Sequence, residues 1–235
     1  MKLSVIIPVY NECATIGAII NAVQQVSLPG ITKELIVVDD GSDDGTREWL
    51  QKHANDEMLV VYHEKNIGKG AAVRTGFKHM TGEFLIVQDA DMEYDPCDWK
   101  EMMKQMLSGA DAVYGSRFNG SKPRSIFSFC HRLVNRSLTI FSNIFSGLSI
   151  TDVATCYKMV RRKVMDKIIL CEDGFAFDVE LAAKLGRLNC KVTEANISYY
   201  GRPYSEGKKF GWRGRIRATY CVVKYSKLLG RILKT

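Results

Sequence analysis

The chain has 235 residues, of which 46% are hydrophobic and 25% charged, and its net charge is +7 at pH 7. That suits one large or two small globular domains, and no stretch is apolar for long enough to span a bilayer. The seven cysteines form no Cys-x-x-Cys pair and are odd in number, which argues against a zinc site or a disulfide framework and for reduced, mostly buried thiols. Residues 1–8 are too short a basic and apolar stretch for a signal peptide, so the expected location is cytoplasmic.

Charge divides the chain. Residues 1–115 hold 10 Lys and Arg against 18 Asp and Glu, whereas residues 116–235 hold 23 against 8. The acidic half suits a metal and a nucleotide. The basic half suits an anionic partner such as a lipid phosphate or a membrane surface. Nucleic acid is the weaker reading, because no recognition motif accompanies the basic residues.

Residues 3–9 are a continuous apolar run, as in a strand buried on both faces, ended by Pro8-Val9-Tyr10-Asn11-Glu12. Helical periodicity follows over 14–26 through Ile16, Ile19, Ile20 and Val23. A second buried strand, 34–38, runs into Asp39-Asp40-Gly41-Ser42, and a helix over 46–53 has Asp43 or Asp44 placed to cap it. A third strand spans 58–63, and Asn66-Ile67-Gly68-Lys69-Gly70 opens a helix over 71–80, its glycines permitting close backbone approach. The fourth strand, 84–87, runs into Asp89-Ala90-Asp91. Strands and helices alternating with short connections predict an α/β fold, with a mostly parallel, Rossmann-like sheet flanked by helices. Ligands of such sheets bind beyond the carboxyl ends of the strands, where three polar clusters fall here.

Paired carboxylates repel unless a cation lies between them. With a strand period of two, Asp89 and Asp91 share a side and Glu93 is next in that register. Carboxylate oxygens suit Mg²⁺ or Mn²⁺, with a substrate diphosphate completing the site. The Gly68-Lys69-Gly70 turn lacks P-loop spacing, and neither a dinucleotide fingerprint nor a Gly-x-Ser-x-Gly elbow is present.

Pro8-Val9-Tyr10-Asn11-Glu12, Asp39-Asp40-Gly41-Ser42-x-Asp44-Gly45-Thr46, Asn66-x-Gly68-Lys69-Gly70 and Asp89-Ala90-Asp91, in this order, resemble the family 2 glycosyltransferases of GT-A fold. Within that family the chain is most similar to the dolichyl- and polyprenyl-phosphate sugar synthases. The resemblance covers nearly the whole chain and implies a single GT-A domain over 1–235, with a nucleotide-sugar and metal half (1–115) and an acceptor half (116–235). It implies that Pro8, Tyr10 and Glu12 line the base and ribose pocket and that Asp40 contacts base or ribose. Lys69 and Ala90 would lie by the donor, and Asp89 and Asp91 would hold Mg²⁺ or Mn²⁺, with Glu93 as a third ligand.

Arg117, in a Gly-Ser-Arg turn, would meet the acceptor phosphate, its alternative being a salt bridge to one of the acids. Residues 125–146 mix Phe and Arg at helical spacing, which suits a membrane interface or a core-facing helix with a basic outer face. By resemblance, Arg132 and Asn135 there meet a lipid phosphate. Asp152 matches an acid of relatives, and Asp152, Asp178 and Glu180 are the candidate bases should the acceptor be a hydroxyl. Arg202 and Lys208 lie in a loop that resembles one closing over the donor diphosphate. Ala154 and Gly214 stand where relatives often carry acids. Residues 224–234 form a basic amphipathic pattern, read either as membrane-surface binding or as packing on the domain.

The implied function is metal-dependent, inverting transfer of a sugar from a GDP-mannose or UDP-glucose type donor to a polyprenyl or dolichyl phosphate, peripherally on the cytoplasmic membrane face. An integral membrane protein is a further expected partner. The alternatives are a hydroxyl acceptor in cell-surface glycan synthesis, or a sensor that binds a nucleotide sugar without turnover.

Overall fold

The computed structural model describes residues 1–118, 129–201 and 212–226. Chain order is β1 (Lys2–Val9), α1 (Ile16–Gln25), β2 (Thr32–Asp39), α2 (Thr46–His53), β3 (Met58–Tyr62), α3 (Lys69–His79), β4 (Phe84–Val87), a 3₁₀ turn, α4 (Trp99–Leu107), β5 (Ala112–Ser116), α5 (Phe129–Ser146), β6 (Lys158–Arg161), α6 (Arg162–Met165), α7 (Phe177–Arg187), β7 (Val192–Asn196) and α8 (Trp212–Lys224). The seven strands form one sheet in the order β3-β2-β1-β4-β6-β5-β7. Only β6 runs antiparallel to its neighbours. The ends of β1, β2, β4 and β5 therefore share one edge, and Lys158, the first residue of β6, lies at that edge too.

The apolar runs explain the centre of the sheet. Val5, Ile6, Ile7, Val37, Val38 and Ile86 are 0% exposed, covered by helices on both faces. Pro8 pairs with Val38 in register but lies beyond the last β1–β4 pair, Ile6 with Val87, so its missing N–H breaks no bond to β4. At the opposite edge Glu34 fastens three segments. It accepts from the Ser4 hydroxyl (2.5 Å), the Thr81 amide (2.6 Å) and hydroxyl (2.5 Å), and the Gly82 amide (3.0 Å). Burial opposes its charge, but these donors prevail and hold its pKa down at about 2. The stabilisation from a lowered carboxylate is present above the unfolded pKa and is lost as pH falls from about 4.5 towards about 2. Glu34→Gln should thus cost roughly 1–3 kcal/mol in urea unfolding at pH 7 and little at pH 2. An equal cost at both pH values would show that the charge contributes nothing.

The thiols depart from expectation. Of the six described cysteines only Cys156 and Cys221 are buried, while Cys97 and Cys171 are exposed. The helix expected over 125–146 appears as α5 from Phe129, residues 125–128 lying outside the described part.

Candidate active site

Two loops are locked together where the first two parallel strands end. The Asn11 side chain, at a residue with positive φ (56°), donates to Asp43 (2.8 Å) and accepts from the Asp43 amide (3.0 Å). The Glu12 amide donates to Thr46 Oγ1 (2.9 Å), and Asp44 accepts from the amides of Cys13 (3.1 Å) and Thr46 (3.0 Å). Tyr10 and Glu12 are half-buried beside this junction. Asp39 is fully buried and accepts from Arg47 Nε (2.7 Å) and the Ser42 amide (3.1 Å).

Asp40, expected to contact base or ribose, is bound to the protein's own donors in this structure. Its carboxylate accepts from His63 Nδ1 (2.7 Å) and from the amides of Ile67 (3.0 Å) and Gly68 (2.7 Å). Three of its roughly four acceptor positions are thus spent on the turn that leads into α3. The next amide of that turn to be satisfied, Ala71, donates to the Asp173 carbonyl (3.0 Å). Gly68 and Gly70 have no room for a Cβ against the backbone of 172–174, and Gly68 has a φ of 121°. The expected close approach is met, and it is an approach to another part of the chain.

This turn delivers Lys69 to Asp89, with which it forms an ion pair. Burial opposes the lysine charge, yet the Asp89 carboxylate raises its pKa well above the usual range. In the Asp89-Ala90-Asp91 segment Ala90 is buried and both acids are half-buried. Burial, then the charges of Asp89 and Glu93, push the Asp91 carboxyl up to about 7. An ammonium already balances one carboxylate, and the second is under strain from its anionic neighbours. Carboxylates that crowd one another in this way are a donor set of hard oxygens, and they fit a divalent cation.

Glu93 does not continue the pattern. The strand ends at Val87, and Met92 adopts a φ of 59°, so the period of two is broken before Glu93. Its buried carboxylate instead accepts from the Tyr199 hydroxyl (2.7 Å). Among the described residues no three His, Cys, Asp or Glu side chains gather as a metal cage, so the set to consider is Asp89 and Asp91 with substrate oxygens.

Past the end of β5, Arg117 and Asp152 are brought together rather than left to act singly. Arg117 Nε and Nη2 grip the two Asp152 oxygens (2.6 and 2.8 Å), and Asn135 Nδ2 adds a third bond (3.0 Å). Asp152 is 0% exposed and Arg117 7%. Asp152, named as a candidate base for a hydroxyl acceptor, thus has its oxygens engaged by a guanidinium and an amide. Arg117 does form a salt bridge, but to Asp152 and not to one of the strand-end acids weighed as its alternative. The other two base candidates are tied as well. Asp178 accepts from the buried Lys158 (2.5 Å), and the fully buried Glu180 accepts from Lys184 and from the amides of Cys171 and Glu172 (2.8 Å each). Lys158 was missed by sequence reasoning. It is 1% exposed, on a strand, and its partner lies 20 residues away.

Arg132 is exposed on α5, as are Arg136, Leu133, Val134, Ile140 and Ile144. Arg202, Lys208 and the pattern beyond residue 226 lie outside the described residues.

A family model for glycosyl transferase family 2 matches residues 4–169. Dolichol-phosphate mannosyltransferase of Pyrococcus furiosus is 29% identical over 240 residues, covering 100% of this chain and 67% of that protein. Glycosyltransferase AglJ of Haloferax volcanii is 28% identical over 200 residues (85% and 63%). Undecaprenyl-phosphate 4-deoxy-4-formamido-L-arabinose transferase of Yersinia pestis is 27% identical over 211 residues (88% and 62%). The chain thus spans some 62–67% of the length of these relatives. Among solved structures, glucosyl-3-phosphoglycerate synthase of Mycobacterium tuberculosis superposes with a TM-score of 0.72 at 20% identity, covering 96% of this chain and 79% of that one, in a crystal with Mg²⁺ and UDP. A second crystal of it, with Mn²⁺, UDP-glucose and phosphoglyceric acid, gives 0.72 at 17% identity (95% and 79%). These likenesses establish a GT-A fold. The family model takes in β1 to β6 and every strand end where the motifs gather, and on that match the chain belongs to glycosyl transferase family 2.

Proposed function

We propose that the protein transfers a sugar from a nucleoside-diphosphate donor to a polyprenyl phosphate, with inversion at the anomeric carbon. The observation that carries the acceptor class is the state of the acids. Asp152, Asp178 and Glu180 are each paired with a cation, which disfavours proton uptake from a hydroxyl, although at Asp178 burial outweighs the Lys158 charge and raises the carboxyl. A phosphate acceptor is anionic near neutral pH and needs no such base. The names of the Pyrococcus and Yersinia relatives point the same way.

Pro8, Tyr10 and Glu12 would line the base and ribose, and Asp40 would act by shaping the Lys69 turn. Asp89 and Asp91 would hold Mg²⁺ or Mn²⁺ on the donor diphosphate. Bound there, the metal neutralises the charge that builds on the leaving diphosphate. Lys69 would hold the donor diphosphate in ground and transition states alike, and Arg202 and Lys208 would add positive charge to it as it leaves. An acceptor phosphate oxygen forms its bond to the anomeric carbon as the bond to the diphosphate breaks, and no proton changes place. Asp152 would orient Arg117 and Asn135 towards the acceptor, with Arg132 at the mouth. The exposed apolar residues of α5 among arginines suit a lipid surface, and no described helix is long and apolar enough to cross a membrane.

The test is to offer UDP- and GDP-sugars with Mn²⁺ and either a short polyprenyl phosphate or the matching polyprenol. Lipid-linked sugar from the phosphate alone is the expected result. Equal use of the alcohol would overturn the acceptor assignment, and no turnover with donor bound would favour a sensor.

A further inference from the structure

Glu172 is a buried carboxylate that the proposed reaction does not use. It is 4% exposed and sits in the loop between α6 and α7. Its partners come from α8 and the residue after it: Arg217 Nε (2.7 Å) and Nη2 (3.1 Å), Lys224 Nζ (3.3 Å) and the Tyr225 hydroxyl (2.8 Å). The cluster is thus a clamp on α8.

The backbone of the same loop is fixed from two other sides. The amides of Cys171 and Glu172 donate to Glu180 of α7 (2.8 Å each). The Asp173 carbonyl accepts from Ala71 in the first turn of α3, and the Asp173 carboxylate accepts from Arg74 (2.5 Å). The carbonyls of 172 and 173 pack where Gly70 and Gly68 leave no space for a side chain. Lys69 lies between those two glycines, and its ammonium meets Asp89. One short loop therefore joins α8 to the Lys69–Asp89 pair through direct contacts at every step.

We propose that Glu172 is a positioning residue that couples α8 to the donor end of the site, acting through Asp173 and the Gly68-Lys69-Gly70 turn on Lys69. This rests on the reading of Lys69 and Asp89 as donor-diphosphate residues. Loosening the clamp shifts Lys69 relative to the diphosphate in ground and transition states alike, which is the signature of uniform binding: KM for the donor rises and kcat is kept.

The test is a cycle of three proteins against wild type: Glu172→Gln, the pair Arg217→Gln with Lys224→Gln, and all three together. Arg217 and Lys224 have side chains 55% and 38% exposed, so the pair alters only the surface and keeps the test open should Glu172→Gln fail to fold. Each of the first two proteins should raise the donor KM about fivefold at nearly constant kcat, and the triple change should add nothing further. A merely structural clamp would lower the thermal midpoint and the active fraction at unchanged KM, and that result overturns the proposal. Independent, multiplying effects on KM overturn it too. If wild type binds no nucleotide sugar, the donor-site reading fails first, whereas normal donor binding with an unmoved KM in the variants removes the coupling alone.

Discussion

Asp91→Asn should abolish sugar transfer, by at least about 100-fold in kcat/KM, while leaving the metal-free protein as stable as wild type or more so. The two effects have one cause. Burial and the charges of Asp89 and Glu93 raise the Asp91 carboxyl to about 7. A raised carboxyl contributes stability that is present below the unfolded pKa and is lost as pH rises through the folded value. At pH 8 the metal-free protein therefore carries a charge that folding disfavours, on the order of 1–2 kcal/mol, and the amide removes it. A divalent cation offsets the same penalty in wild type. Mg²⁺ should accordingly raise the thermal midpoint of wild type at pH 8 and leave Asp91→Asn unmoved. A variant that keeps its turnover, or one that gains as much from Mg²⁺ as wild type, would detach Asp91 from the metal.

Asp152→Ala has the largest expected effect on folding, about 3–5 kcal/mol, because it leaves Arg117 buried without its bidentate partner. Burial opposes the Arg117 charge, and Asp152 more than restores it. Asn at 152 retains an oxygen for one of these bonds and should cost less. A general base behaves differently on every count. Asp152→Asn would then fold like wild type, lose kcat, and lose the acidic limb of the pH–rate profile. The paired geometry predicts that kcat follows the folded fraction, that the loss of Arg117 orientation shows in the acceptor KM, and that the pH profile of what remains is unchanged. Chemical unfolding alongside kcat between pH 5 and 9 separates the two.

Much of this architecture was legible because it is local. The bounds of α2 and β4 match the sequence reading, although the N-cap of α2 is Gly45, with no side-chain cap bond from the expected Asp43 or Asp44; a four-residue apolar run defines β4. Three elements escaped it, one of them the four-residue α6. β7 (Val192–Asn196) is an edge strand with only Ala195 buried, so it carries no apolar run to recognise. α4 did carry a signal, Trp99, Met102, Met103 and Met106 at helical spacing, which passed unread beside the acidic stretch before it. The site divides the same way. Asp89, Asp91 and Lys69 stand in short motifs at strand and helix ends, and the chain alone indicates the edge they share. The fate of each carboxylate was not readable, because it depends on partners far along the chain. Glu93 is held by Tyr199, 106 residues on, and Asp152 by Arg117, 35 residues back. Glu93 was also misplaced for a local reason, a strand register extended past a left-handed turn at Met92.

The central claim is that Asp89 and Asp91 hold a divalent metal on a nucleoside diphosphate at the ends of the parallel strands. Electron paramagnetic resonance of Mn²⁺, titrated into wild type, Asp89→Asn and Asp91→Asn with and without UDP or GDP, tests it directly. The account predicts tight Mn²⁺ binding by wild type that strengthens with one of the two nucleotides and is lost in both variants. Undiminished, nucleotide-enhanced Mn²⁺ binding in either variant would contradict it.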